Sequence, residues 1–157
     1  VRHRRQDWLH KVTTELVNSH DFIGLETLSS SNLMKNHSLA YALSDVSWNE
    51  FRTFLEYKAK KRGTVVEFID KFYASTQTCF NCKAVTGPKG MGNLHIREWK
   101  CCECGTIHDR DVNAALNVLE KALCVFVETH MKNVDTAGTA GTVKDFLNVL
   151  KSGFTVS

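Results

Sequence analysis

The sequence predicts an α/β fold with a small cysteine-rich module inserted into it. Apolar residues recur at helical spacing in three segments, and two short apolar runs lie between these segments, as an alternation of helices and strands requires. The module is indicated by five of the six cysteines, which lie between Cys79 and Cys104. A chain of 157 residues, 43% of them hydrophobic, is long enough to bury one sizeable core beside such a module.

The first half of the chain predicts a helix followed by a strand. Helical spacing of apolar residues extends from Arg5 to Val17. A short buried strand is predicted over Asp21–Thr27, with Glu26 at its end. The polar stretch Ser29–His37 is interpreted as a loop.

A second helix and a second strand come next. Ser47 with Glu50 three residues later forms a capping-box pattern that opens the helix, and Gly63 supplies its left-handed end. The β-branched run Thr64–Ile69 predicts the strand. A helix between two strands with short connections predicts that the strands are parallel.

The second half of the chain predicts one long helix, Asp111–Met131, after the cysteines. The stretch from Asp135 to Thr142 is rich in Gly, Ala and Thr and predicts a flexible C-terminal tail.

The charge balance excludes no class of binding partner. The formal net charge is only +3, and the basic runs at Arg2–Arg5 and Lys58–Arg62 are interpreted as solvated helix faces that are able to touch phosphate. The sequence has no apolar run of about 18 residues and no leader pattern at its start, so we expect a cytoplasmic chain without a membrane partner.

The cysteine spacing predicts one zinc ion. Cys79 and Cys82 are separated by two residues, as are Cys101 and Cys104, and eighteen residues lie between the pairs. Two residues between cysteines form a tight turn that points both thiolates at one tetrahedral ion, as in a zinc ribbon. Four protein ligands leave no open position for water or substrate, so we predict a structural zinc ion that does not catalyse.

Other cysteines and histidines are weaker candidates. Cys102 does not keep two residues before Cys104 and is interpreted as a bystander. His95 and His108 are possible substitute ligands, but we interpret both as exposed or capping residues. Cys124, in the third predicted helix, is interpreted as a small core residue.

Two acidic positions are candidates for a catalytic site. Glu26 ends a strand and Asp111 begins a helix, and such ends can converge at one edge of an α/β sheet. Simpler interpretations stay open from the pattern alone. An Asp in a first helical turn, such as Asp109 or Asp111, commonly stabilises the free amides there, and a Glu at a strand end is usually solvated.

Five segments of the sequence are distinctive: FIGLETL, EFRTFLEYKAKKRG, STQTCFNCK, WKCCECG and HDRDVNAALNVL. In this order they resemble segments of the TnpB family of transposon-associated, RNA-guided DNA endonucleases, which is related to the type V CRISPR effectors. The resemblance covers roughly Arg2 to Leu119.

This resemblance implies a partial RNase H-like (RuvC) core at 1–75 and 105–132, a zinc ribbon at 76–104 and a flexible tail at 133–157. It places the second and third acidic residues of the nuclease on Glu26 and Asp111. Such carboxylates hold two divalent ions, usually magnesium, which activate water and stabilise the leaving oxygen. DNA is the implied partner, and guide RNA is expected only together with the family's upstream domains. Arg110 and Asn113 are expected to steady a backbone phosphate or the loop.

The chain also departs from the family. The first catalytic Asp of the family lies upstream of the helix that opens this chain, so we expect no cleavage by this chain alone. Lys83 stands where the family usually has Gly, and Ala74 where Pro is common; both are expected to alter loop geometry without preventing zinc binding. Two other functions stay open: a catalytically inert zinc-ribbon module that binds nucleic acid, and a decayed remnant.

Overall fold

The computed structural model describes residues 2–27, 45–93 and 95–131 and has two compact units, Val1–Ala74 and Ser75–Ser157. The predicted loop at Ser29–His37 and the predicted tail at 133–157 lie outside the described residues.

The first unit contains two helices and two strands. They are α1 (Arg2–Ser19), β1 (Phe22–Glu26), α2 (Asp45–Arg62) and β2 (Val65–Ile69). The strands are parallel, with Phe22 beside Val65 at one end and Glu26 beside Ile69 at the other. The predicted parallel pair is therefore confirmed.

The two ends of α2 lie close to the positions that the capping residues in the sequence predict. The helix begins at Asp45, two residues before the predicted Ser47, because cap signals define a helix start only to within about one or two residues. Its end agrees with the prediction. Gly63 has a φ of 89°, a backbone conformation that a residue without Cβ adopts at little cost, and its N–H donates to the Ala59 carbonyl at 2.8 Å.

The core of the first unit lies where both helices meet one face of the strand pair. Val17, Leu55 and Ala59 are buried at its centre, and Ile23 and Leu25 pack against them from β1. Because side chains alternate along a strand, Glu26 lies on the opposite face from Ile23 and Leu25.

The second unit is built around a short hairpin and a long helix. A 3-10 turn (Met91–Asn93) precedes β3 (Glu98–Lys100) and β4 (Ile107–Asp109), and α3 (Arg110–Met131) follows directly. The two strands are antiparallel. No helix in the described parts of the chain combines the length and the apolar character that crossing a bilayer requires.

Two buried asparagines fasten α3 to the loop that carries the first cysteines. Asn113 and Asn117, one turn apart, are 1% and 0% exposed. Their Nδ2 atoms donate to the Thr78 carbonyl at 2.8 and 2.7 Å and to the Ser75 carbonyl at 3.4 and 3.0 Å. The Oδ1 of Asn113 accepts from the Phe80 N–H at 2.9 Å. These bonds satisfy loop carbonyls that water does not reach.

Asn113→Asp tests whether Asn113 and Asn117 act as a clamp, that is, whether their hydrogen bonds hold the loop on α3. The substitution replaces a buried donor with an acceptor facing two carbonyl oxygens, so we expect the free energy of unfolding of the second unit to fall by about 1 to 3 kcal/mol. Hydrogen exchange of the α3 amides measures the loss. Asn93→Asp is the control, because its bond to the Lys89 carbonyl is exposed and water replaces it. An equal effect of both substitutions would contradict the clamp.

Candidate metal centre

The four predicted cysteines come together. The Sγ atoms of Cys79, Cys82, Cys101 and Cys104 all lie within 4.8 Å of one another, with 3.7 Å between Cys79 and Cys104 and 3.6 Å between Cys82 and Cys101. A tetrahedral zinc ion about 2.3 Å from each sulfur separates the sulfurs by about 3.8 Å. The cluster therefore has the size and donor set that such an ion requires.

Two turns of the same design present the four thiols. In each turn, the residue after the second cysteine donates its N–H to the carbonyl of the first: Lys83 to Cys79 at 2.8 Å, and Gly105 to Cys101 at 2.9 Å. Both residues have a positive φ, 65° at Lys83 and 73° at Gly105. Lys83 thus adopts the backbone conformation that glycine adopts in the second turn, and the expectation that it alters the loop geometry relative to the family stays a prediction.

Lys83 has contacts that offset the strain of its backbone. Its ammonium forms an ion pair with Glu120 of α3 and lies 4.1 Å from the centre of the Phe80 ring. A non-glycine residue in this conformation costs roughly 1–2 kcal/mol, which an ion pair and a cation–π contact can balance.

The four thiols have unequal affinities for protons. The Thr106 hydroxyl, 3.2 Å from the sulfur, is the main reason that the pKa of Cys104 falls to about 5. The Thr86 hydroxyl similarly lowers the pKa of Cys101. Burial raises the pKa of Cys79. At Cys82 the Ala84 N–H favours the thiolate, but burial and the neighbouring sulfurs outweigh it and raise the pKa to about 12. A cation is needed before all four can ionise together at neutral pH.

His108 is the residue that sequence reasoning misplaced. We predicted an exposed or capping side chain, but it is half-buried, with Nε2 3.0 Å from the Cys79 sulfur and its ring 4.8 Å from that of Trp99. Strand pairing causes this, because β4 sets His108 opposite Trp99 of β3. The alternation of side chains along β4 was the available signal.

The other candidate ligands stay outside the cluster. Cys102 is exposed, as expected of a bystander, and His95 is exposed as well. Cys124 is half-buried in α3. None of the six cysteines, all of which the structure describes, forms a disulfide.

Asp109 and Asp111 have different surroundings at the start of α3. Asp109 Oδ1 accepts the N–H groups of Asp111 and Val112, both at 2.9 Å, and therefore caps the helix. The Asp111 side chain is 72% exposed, and its contact is with Arg97 Nη1 at 3.0 Å. Such an exposed ion pair contributes about 0–1 kcal/mol, so the carboxylate is readily available to another cation.

The remaining predicted residues lie as follows. Glu26, half-buried, belongs to the first unit and Asp111 to the second, so their shared site stays a prediction. Arg110 is 8% exposed and donates from Nη1 to the Asn93 carbonyl at 2.8 Å. Arg110 and Asn113 thus both hold loops, one of the two roles expected of them. Asn117 was missed, although its spacing of four from Asn113 was a visible signal.

The cysteine cluster predicts a specific metal dependence. We expect the purified chain to carry one equivalent of zinc by elemental analysis, and Cys79→Ser to lose most of it, because one of four thiolates is gone. Cys102→Ser is the matched control and should keep its zinc. Equal zinc content in the two variants would contradict the assignment of ligands.

Lys83 provides a test of the strained turn. Lys83→Ala and Lys83→Gly both remove the contacts with Glu120 and Phe80, but only glycine relieves the backbone. We expect the glycine variant to be more stable than the alanine variant by roughly 1–2 kcal/mol in urea unfolding at saturating zinc. Equal stability would show that position 83 carries no strain.

The fold and the cluster agree with comparisons to known proteins. The family described as "Cas12f1-like, TNB domain" matches residues 48–118. Over 123 residues the chain is 43% identical to a Streptomyces pristinaespiralis protein named "Putative RNA-guided DNA endonuclease", a match that spans 78% of this chain and 30% of the relative. It is 34% identical over 129 residues to a "TnpB-like protein" of Acanthamoeba polyphaga mimivirus, covering 78% of this chain and 24% of that protein.

A solved structure shows the same fold. The cryo-EM structure of a "Cas12f1-sgRNA-target DNA complex" matches 75% of this chain and 34% of the solved one, with a TM-score of 0.53 at 18% identity. The chain thus spans between about a quarter and a third of the length of these proteins. With its mixed α/β structure and its four-cysteine cluster, this chain belongs to the TnpB family and corresponds to part of its members.

Proposed function

We propose that the chain is the part of a TnpB-like DNA endonuclease that supplies two metal-binding carboxylates, Glu26 and Asp111, together with a structural zinc ribbon. The observation that carries the proposal is that the two aspartates at the start of α3 have different surroundings. Asp109 caps the helix, so the Asp111 carboxylate, 72% exposed, is not used by the backbone.

The architecture of the first unit is compatible with an RNase H-like core. Two parallel strands lie together, α2 precedes the second of them, and Glu26 ends the first. The division into nuclease segments 1–75 and 105–132 and a ribbon at 76–104 belongs to this proposal.

The proposed chemistry is hydrolysis of a phosphodiester. Glu26 and Asp111 would be among the ligands of divalent ions, usually magnesium, and such ions would supply Lewis-acid activation of the phosphate and of the attacking water. To hold an ion, Asp111 would have to give up its contact with Arg97, and the Arg97 guanidinium would then be able to face the DNA backbone. A third carboxylate comes from the part of a full-length family member that this chain does not match.

The zinc ion has a structural role in this proposal. The four clustered thiols supply all the ligands that a structural zinc site needs, so the ion would hold the ribbon together and would take no part in cleavage. DNA is the substrate, and a guide RNA selects it. This follows the names of the relatives, which include RNA-guided DNA endonucleases and a complex with guide RNA and target DNA.

A module that binds nucleic acid without cutting it is the second candidate. It is favoured by a relative at 28% identity, from Pelobacter propionicus, that is named "CRISPR-associated DNA-binding protein Cas12m". Cleavage assays separate the two candidates.

The test uses a chimera in which this chain replaces the matching segment of the Streptomyces pristinaespiralis relative. We expect this chimera to cleave DNA in a guided reaction with magnesium. Loss of an outer-shell partner of a metal lowers activity about 10- to 100-fold, and Glu26→Gln and Asp111→Asn should each lower the cleavage rate by more than that. Zinc content should not change.

Asp109→Asn is the matched control for Asp111→Asn. It removes the same charge two residues away, and asparagine still caps a helix, so cleavage should persist. Full cleavage by Asp111→Asn would refute the catalytic assignment. A chimera that binds target DNA but does not cut it would favour the second candidate.

A further inference from the structure

The first unit has a groove between α1 and α2 that the proposed function does not use. It encloses about 510 Å³, the size of a small-ligand cleft, and six polar residues line it. They are Thr14, Asn18, Tyr57, Lys58, Lys61 and Arg62. Three of the six are cations and none is an acid, so the groove has a positive potential.

Lys58 supplies a charge that is fixed in place. Its ammonium donates to the His10 carbonyl at 2.6 Å and to the hydroxyls of Thr13 and Thr14, both at 2.8 Å. All three of its protons are therefore held by neutral acceptors. The half-buried charge has no carboxylate partner among the described residues, and burial lowers its pKa. An anion in the groove would compensate this charge.

Lys61 and Arg62 supply the donors that reach solvent. Both are exposed, and Arg62 uses Nη1 to bind Asn18 Oδ1 at 2.8 Å, which leaves further N–H groups of the guanidinium to bind a ligand. Within the parts of the chain that the structure describes, neither residue pairs with a carboxylate. A guanidinium and an ammonium that line the same groove offer donors to the oxygens of a phosphate.

Tyr57 adds an aromatic surface to the same groove. Tyr57 is 47% exposed. Its ring makes an edge contact with the Phe54 ring, with 6.1 Å between the ring centres, and its hydroxyl oxygen lies 3.4 Å from His10 Nδ1. An exposed ring next to fixed cations is the combination with which proteins hold single strands, because an unpaired base stacks on the ring while its phosphates meet the cations.

Stabilisation of the α2 terminus is the simpler role for these cations. Lys60, Lys61 and Arg62 all lie in the last turn of α2, where positive charge favours the helix dipole. Lys60 shares that location but does not line the groove. Lys60 and Lys61 therefore separate the two roles.

We propose that this groove binds single-stranded nucleic acid, with Lys61 and Arg62 on a phosphate, Lys58 as a fixed countercharge and Tyr57 under an unpaired base. This inference rests on the proposed function and deepens it by naming where a strand of the guide or of the opened target is held in the first unit. A duplex is a poor occupant, because its bases are already stacked and Tyr57 has none to receive.

The test measures binding of the full 157-residue chain, loaded with zinc and free of magnesium, to fluorescein-labelled oligo(dT) and oligo(U) by anisotropy. We expect Lys61→Glu to weaken binding about tenfold or more, the effect of losing roughly 1.4 kcal/mol, and Lys60→Glu to weaken it less than about twofold. Lys61→Ala should also reduce the slope of log affinity against log salt by about 0.7, the value for one phosphate contact on a single strand.

A second pair of variants tests the stacking. Tyr57→Ala should weaken binding by between about five- and a hundredfold, the range that one base–aromatic stack supplies, whereas Tyr57→Phe keeps the ring and should bind like the unsubstituted chain. Preference for one oligonucleotide identifies the strand as DNA or RNA, and tighter binding of a duplex overturns the proposal.

The outcomes are independent of the cleavage test. The binding measurement contains no magnesium and compares variants of groove residues only, so a chimera that does not cut leaves this result intact. Equal effects of Lys60→Glu and Lys61→Glu, or no binding by the unsubstituted chain, would overturn the proposal that the groove binds single strands. The proposed nuclease role would not be affected.

Discussion

The second unit depends on its four thiols being held around one centre. Its buried cluster consists of Cys79, Trp99 and Cys101, with Ile96 packed against it, so two of the three central residues are themselves candidate metal ligands. Strands of three residues add few hydrogen bonds. A cluster this small gives little hydrophobic stabilisation by itself, and small natural modules obtain further stabilisation from a metal or from disulfides. The described cysteines form no disulfide, and their four clustered thiols are able to supply that stabilisation by holding a metal.

This dependence extends to Asp111. The N–H of Arg110 donates to the Arg97 carbonyl at 2.7 Å, its guanidinium holds the turn at Asn93, and Asn113 holds the loop beside Cys79. The first turn of α3 is thus fastened to the ribbon on both sides. A carboxylate on that turn takes its position from the loops around the cysteine cluster. An ion held by the cluster would in this way influence an acidic residue that it does not contact.

The sequence predicted those features that follow from local pattern. Helical spacing located three helices, Gly63 marked the end of α2, and cysteine spacing alone identified the four clustered thiols. Features set by tertiary packing were not predictable in this way. His108 meets Cys79 only because β3 and β4 pair, and Asn117 is a clamp only because a loop returns over α3. The joint role of Glu26 and Asp111 and the domain boundaries stay predictions, since the two carboxylates belong to different units.

The left-handed backbone at Lys83 has an evolutionary consequence. A glycine there needs nothing from its surroundings, whereas a lysine offsets the strain of the same turn through its contacts with Glu120 on α3 and with the Phe80 ring. Once lysine is present at position 83, substitution of Glu120 becomes unfavourable, because it would leave part of the backbone strain uncompensated. The two positions should therefore covary among relatives, with acidic residues at 120 accompanying a basic residue at 83 and becoming dispensable where glycine returns.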